Sequence, residues 1–147
     1  DMSRITYIHQ DKERNYHNPE EKVQAETFLR LIVDYKYPEN RIKQFVSVPM
    51  GSETKEADIV VYKDDMCLIP YILVECKKQE VSEAEFQQAI GQAYSYAFAM
   101  AGEVKYVWVT SGIKSDFFAL PFHDARVDQE IDRCPHHPCL AQDLRLS

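Results

Sequence analysis

Three side chains on two neighbouring segments could act on one substrate. The run Tyr71-Ile72-Leu73-Val74-Glu75-Cys76-Lys77 passes from apolar residues straight into a carboxylate and an ammonium. In an extended strand side chains alternate, so Glu75 and Lys77 emerge on one face and Cys76 on the other. Asp58 opens the preceding apolar run, and Asp58 and Glu75 lie equally far from the Met66-Cys67 midpoint. A hairpin turning there sets the two acids opposite one another. Two carboxylates about 4 Å apart repel by about 4 kcal/mol at an effective dielectric of about 20, so such a pair needs a cation or a shared proton. If Glu21 reaches the same rim, Asp58, Glu75, Glu21 and Lys77 together leave two negative charges unbalanced, which one hard divalent ion such as Mg²⁺ would neutralise through oxygen ligands. Such an ion lowers the pKa of a water and clamps a phosphate, while Lys77 can steady the water or the developing charge. The plainer alternative is a structural Glu75–Lys77 salt bridge with Asp58 ending a turn. The combination of an acid pair flanking a hairpin with Glu-x-Lys closing a buried strand favours the site.

The elements that would position these residues are readable from pattern. Asn18 suits an N-cap, Pro19 the first helical position, and Glu20 and Glu21 the first turn, where the helix dipole favours negative charge. Asn18 and Glu21 also form a variant of the capping box. Ala25, Phe28, Leu29 and Ile32 predict the buried stripe of this helix, and Pro38 ends the pattern. At about 100° per residue Glu21 lies over Ala25, at the rim of that stripe, while Glu26 points to solvent. Residues 42–49, 57–62 and 69–76 then read as an antiparallel meander, with Pro70 marking an edge or a bulge.

A Ser82-Glu83-Ala84-Glu85 capping box opens a second helix, with Phe86, Ala89, Ile90, Ala93, Ala97 and Met100 on one stripe and Gly102 past its end. Residues 104–110 read as a buried strand ending at Ser111-Gly112. The order helix-strand-strand-strand-helix-strand predicts an α/β architecture, a mixed sheet flanked by helices with a right-handed parallel final crossover. Residues 1–17 read as a polar arm, 18–120 as the core, and 121–147 as a loop-rich extension or the edge of a neighbouring domain.

Composition narrows the class further. A chain of 147 residues with 45% hydrophobic and 28% charged residues has the make-up of one folded domain. No run of apolar residues is long enough to span a membrane, and no leader is evident at the N-terminus. Asp1 ahead of Met2 suggests that the natural chain is longer. Cys67, Cys76, Cys134 and Cys139 make no disulfide framework, so reduced thiols in a cytoplasm are expected. A net charge of −7 argues against a general nucleic-acid coat, so any such contact must be local or helped by a partner.

Asn18-Pro19-Glu20-Glu21-Lys22-Val23-Gln24, Ala57-Asp58-Ile59-Val60-Val61-Tyr62, Ile72-Leu73-Val74-Glu75-Cys76-Lys77 and Gln92-Ala93-Tyr94-Ser95-Tyr96 together resemble the PD-(D/E)XK nuclease superfamily. More closely, they resemble the N-terminal nuclease domain of type I restriction enzyme R (motor) subunits. The resemblance spans about residues 18 to 112. It implies a restriction-endonuclease-like fold and Mg²⁺-dependent hydrolysis of DNA, with Mn²⁺ as a substitute and no sequence reading of the domain's own. It also implies Asp58 and Glu75 as metal ligands, Lys77 as the catalytic lysine, Glu21 as the first-helix acid and a further ligand, and Gln92 and Tyr96 as the Gln-x-x-x-Tyr motif. One turn apart, Gln92 and Tyr96 can both reach the rim. The family's Asn-Gly after the last strand is Ser111-Gly112 here.

None of the four glycines fits the phosphate loop of an ATP-driven translocase. The resemblance therefore implies that ATP acts through a motor domain outside this sequence, with methylation and specificity subunits as further partners. The competing class is a scaffold or DNA-docking module that keeps the fold but not the reaction. Cys134-Pro135-His136-His137-Pro138-Cys139 has zinc-ligand residue types but no second ligand pair, and Cys76 reads as a packed thiol.

Overall fold

The computed structural model describes residues 3–100 and 104–120. Three punctuated apolar runs form the expected meander: β3 (Ile42–Met50), β4 (Glu53–Tyr62) and β5 (Pro70–Cys76) pair antiparallel in turn. (In chain order they follow β1, Arg4–Tyr7, and β2, Lys12–Asn15.) After helix α2 (Glu83–Ala99) the chain returns as β6 (Tyr106–Thr110), parallel to β5, and β7 (Ser115–Ala119) adds an antiparallel edge. The sheet order is β3-β4-β5-β6-β7. Its central strand, β5, is buried along its whole length, which explains why its sequence is a continuous apolar run rather than an alternating one. Pro70 occupies the first position of β5, beside a register shift between Val61 and Tyr62, so it marks a bulge rather than a sheet edge.

Each face of the sheet is covered by one helix. α1 (Pro19–Val33) lays Val23 and Leu31 on Ile59, Ile72, Val74 and Trp108. On the other side α2 sets Phe86, Ala89, Ala93 and Ala97 against Val60, Leu73, Val107 and Val109. Ser82 Oγ caps α2 by accepting from Glu85 N at 3.1 Å, and Asn18 caps α1 by accepting from Glu20 N at 3.0 Å. This mixed α/β arrangement, a five-stranded sheet with two helices, is compatible with a restriction-endonuclease-like fold.

Three features differ from the sequence expectation. The segment read as a polar arm contains a hairpin, β1 paired with β2, whose Tyr7 ring stands edge-on to Phe28 at 5.8 Å and to Phe45 at 5.5 Å. Leu29, placed on the buried stripe of α1, is 57% exposed. Because α1 packs on the sheet through Val23 and Leu31 and on the hairpin through Ala25 and Phe28, its covered arc is centred away from Leu29. Strand β7 is absent from the expected order; its Phe117 stacks on Trp108 at 5.1 Å. Gly102, the residues from Pro121 onward and the Cys134–Cys139 cluster lie outside the described residues. Among the described residues, no helix is long and apolar enough to cross a membrane.

Leu73 is fully buried at the centre of β5 beneath α2. Leu73→Ala is expected to lower unfolding free energy by about 2–5 kcal/mol, read from urea denaturation, because neighbouring strands hold the cavity open.

Candidate active site

The meander places Asp58 and Glu75 at the point where β4 and β5 cease to pair. The ladder runs Val61↔Ile72, Val60↔Leu73, Ile59↔Val74, and the next step sets Asp58 opposite Glu75. Here the side chains take over from the backbone. Asp58 N donates to Glu75 Oε1 at 3.2 Å, and Cys76 N donates to Asp58 Oδ2 at 2.7 Å. The carbonyl of Asp58 accepts from Gln24 Nε2 of α1 at 2.9 Å, and Lys77 N donates to the Thr110 carbonyl of β6 at 2.9 Å. Four polar bonds thus close a strand end where two carboxylates meet.

All six residues singled out in the sequence, Glu21, Asp58, Glu75, Lys77, Gln92 and Tyr96, line one cleft of about 350 Å³. Glu21 comes from the first turn of α1, buried, and accepts from the Tyr7 hydroxyl at 2.6 Å. The box with Glu21 does not close: Asn18 accepts from Glu20 N, its own amide donates to the Asn15 carbonyl at 3.2 Å, and the Glu21 carboxylate turns inward to Tyr7. On α2, Gln92 Nε2 donates to the Tyr96 hydroxyl at 2.6 Å, with Tyr96 buried and Gln92 exposed. Lys77 Nζ pairs with Glu20 Oε1 at 3.2 Å, so the salt bridge at this strand end joins Lys77 to α1 rather than to Glu75. Cys76 turns to the opposite side, into the core beneath α1, and its burial pushes the thiol well up, as befits a packed cysteine.

Sequence reasoning passed over three contributors. Glu20 and Gln24 were part of the run that carries the resemblance but had no role assigned there, and Tyr7 lay in the segment read as an arm. Nothing local marks them, since each acts on a residue far along the chain.

Burial, the charge of Glu20 and that of Glu21 raise Asp58 from its ordinary 3.8 to about 7, against the Cys76 amide and Lys77, which lower it. Burial and then the charge of Asp58 raise Glu75 well above the carboxylate range. For Lys77 burial acts downward, but Glu20 first and then Glu75 and Asp58 outweigh it, leaving the ammonium more firmly protonated than usual. Burial also raises Glu21, with the Tyr7 bond and Arg14 opposing.

Among the described residues, no group of three or more His, Cys, Asp or Glu side chains forms a ready-made cage for an ion. The chemistry of the donors still fits Mg²⁺, which typically takes one or two carboxylates and completes its shell with waters and substrate phosphate. Asp58 and Glu75 each commit one oxygen to a backbone amide and have a second to offer. A cation would favour the ionised form of both acids, against the burial that chiefly raises them and the neighbouring carboxylates that add to it.

The sign of the pH dependence follows from these shifts. A carboxyl whose folded pKa is raised holds its proton where the unfolded chain has lost it, so stability falls as pH rises from about 4 to about 7. Asp58→Asn is expected to flatten that slope in thermal melts without added metal and to melt higher than the wild type at pH 8. Tyr7→Phe, which leaves buried Glu21 without its hydroxyl donor, should cost about 1–3 kcal/mol in urea denaturation at neutral pH.

Comparison with known proteins gives one family. The family described as type I restriction enzyme R protein N terminus (HSDR_N) matches residues 19–135, from the start of α1 through the whole sheet and on beyond the described residues. No curated protein and no solved structure matches the chain. R subunits of this family imply a larger restriction complex. With four fifths of its length matched, and with the acids, the lysine and both helices inside the matched span, the chain belongs to the family of type I restriction enzyme R protein N-termini.

Proposed function

We propose that this chain is a metal-dependent deoxyribonuclease domain of the PD-(D/E)XK type, hydrolysing phosphodiester bonds in DNA without sequence specificity of its own. The observation that carries the reading is the meeting of Asp58 and Glu75 across the end of β4 and β5, with Lys77 on the same rim and in the same cleft. An acid pair joined by Glu-x-Lys suits hydrolysis of a phosphodiester, because the reaction needs a cation holder and a fixed positive charge beside a phosphate.

Asp58 and Glu75, with Glu21 beside them, would hold Mg²⁺, or Mn²⁺ in its place. When bound, such an ion supplies a Lewis acid for the phosphate and makes water more acidic. Lys77, kept protonated by Glu20, orients the attacking water or takes up charge developing on a phosphate oxygen. The Tyr7 hydroxyl fixes the Glu21 carboxylate, and the Gln92–Tyr96 pair bounds the cleft from α2, where it can position the strand. Water attacks phosphorus in line with the leaving oxygen, as geometry requires of a single displacement. In the natural protein the domain would work with an ATP-driven translocase on the same chain and with methylation and specificity subunits that choose the target. A cytoplasmic setting suits such a complex.

Plasmid nicking in Mg²⁺ tests the reading. Lys77→Ala is expected to reduce the rate by at least about 100-fold, the scale of losing one charge-stabilising donor, and titration calorimetry with Mn²⁺ should show heat for the wild type that Asp58→Ala removes. Equal heats in both proteins, together with nicking indifferent to Lys77, would establish the non-catalytic scaffold instead.

A further inference from the structure

The family match begins at residue 19, yet the β1–β2 hairpin that precedes it reaches into the cleft. Gln10 fastens the hairpin to the edge strand: its Nε2 donates to the Gln44 carbonyl at 3.1 Å and its Oε1 accepts from Gln44 N at 2.5 Å. From this anchored position β2 delivers Arg14 to the cleft wall.

The charge at that wall matters for a polyanionic substrate. Among the described residues, five carboxylates line the cleft, Glu20, Glu21, Glu56, Asp58 and Glu75, against two cations, Lys77 and Arg14. Lys77 is engaged by Glu20 at 3.2 Å. Arg14 is held differently, with its guanidinium carbon 3.9 Å from the centroid of the Phe45 ring and its closest carboxylate, Glu56, reached by one nitrogen at 3.6 Å. Stacking fixes the plane of a guanidinium while its edge donors stay available as a rigid fork, the geometry that suits a phosphate. Two residues earlier on the same side of β2, Lys12 also stands over Phe45, at 5.7 Å. Phe45 has a left-handed backbone, φ 55°, between the paired residues Gln44 and Val46, and its ring packs with Tyr7 instead of joining either core layer of the sheet. A strained residue of this kind persists only where surrounding contacts determine it.

We propose that Arg14, seated on Phe45 with Lys12 beside it, is a phosphate-binding subsite that holds a DNA backbone phosphate flanking the one to be cut. This rests on the nuclease reading for its substrate, and it supplies what the acid-lined cleft otherwise lacks, a positive contact for the strand outside the metal position.

Fluorescence anisotropy with a labelled DNA duplex in Ca²⁺ measures binding apart from cleavage. Arg14→Ala is expected to weaken binding roughly five- to tenfold and to reduce the salt slope by about one, as loss of one phosphate contact does. Arg14→Lys, which keeps the charge but loses the stacked fork, should fall between. Glu56→Gln should tighten binding, and the gain should shrink in the Arg14→Ala background, a coupling that damage to the hairpin would not produce. If the wild type binds and both Arg14 variants match its affinity and salt slope, the subsite is overturned while the nuclease reading stands on its nicking assay. Binding that depends on Arg14 without any nicking would leave the subsite and remove the nuclease, and a wild type that binds no DNA would overturn both.

Discussion

Where β4 and β5 part, the ladder loses its backbone acceptors and two carboxylates replace them. Asp58 accepts from the amide of Cys76, and Glu75 accepts from the amide of Asp58. Buried amides left without partners would each cost about 1–3 kcal/mol, so the acids are tied to the integrity of the strand end. The same arrangement buries two acids side by side, and that burial, helped by the charges of Glu20 and Glu21 on Asp58 and of Asp58 on Glu75, raises both pKa values. Only a firmly packed surround holds such a pair. It is provided by a central strand buried on both faces and by the two helices that clamp it.

The helices divide the remaining work. α1 points its N-terminus at the cleft, where the helix dipole stabilises the acids of the first turn. From there Glu20 reaches Lys77, Glu21 reaches Tyr7, and Gln24 ties the Asp58 carbonyl. α2 approaches from the other face with its middle turns, and Tyr96 lies at the boundary between its apolar stripe and the polar cleft. One end of the central strands is thus addressed from both layers, which is why residues as distant in sequence as Glu21 and Gln92 share a wall. The hairpin closes the third side, held by the bonds of Gln10 to the edge strand together with the packing of Tyr7 on Phe28 and Phe45.

On the proposed reading, a chain with net charge −7 is an unusual partner for DNA. Acid concentrated in the cleft suits an ion-holding site, and the cations near it are few and specifically placed: Lys77 by an ion pair, Arg14 by stacking. Such a surface draws little nonspecific affinity from its own charge. The family implies a larger restriction complex, and on the proposed reading other parts of it would hold the duplex.

The meander, both helices and the acid pair were legible in the sequence because each rests on local periodicity. Symmetric spacing about the Met66-Cys67 turn was enough to set Asp58 against Glu75, since register in a hairpin is arithmetic once the turn is known. The caps at Asn18 and Ser82 were equally local. What the pattern could not convey was every contact made across distance: the hairpin of β1 and β2 on Phe28 and Phe45, the added edge β7, the choice of Glu20 as the partner of Lys77, and the Tyr7 bond to Glu21. The sequence by itself determined the meander, the two long helices, the strand after α2 and which acids face each other, because period and turn position are properties of neighbours in the chain. Only the tertiary structure decided which cation each acid meets and which segments wall the cleft, because those follow from how separately formed surfaces pack in space.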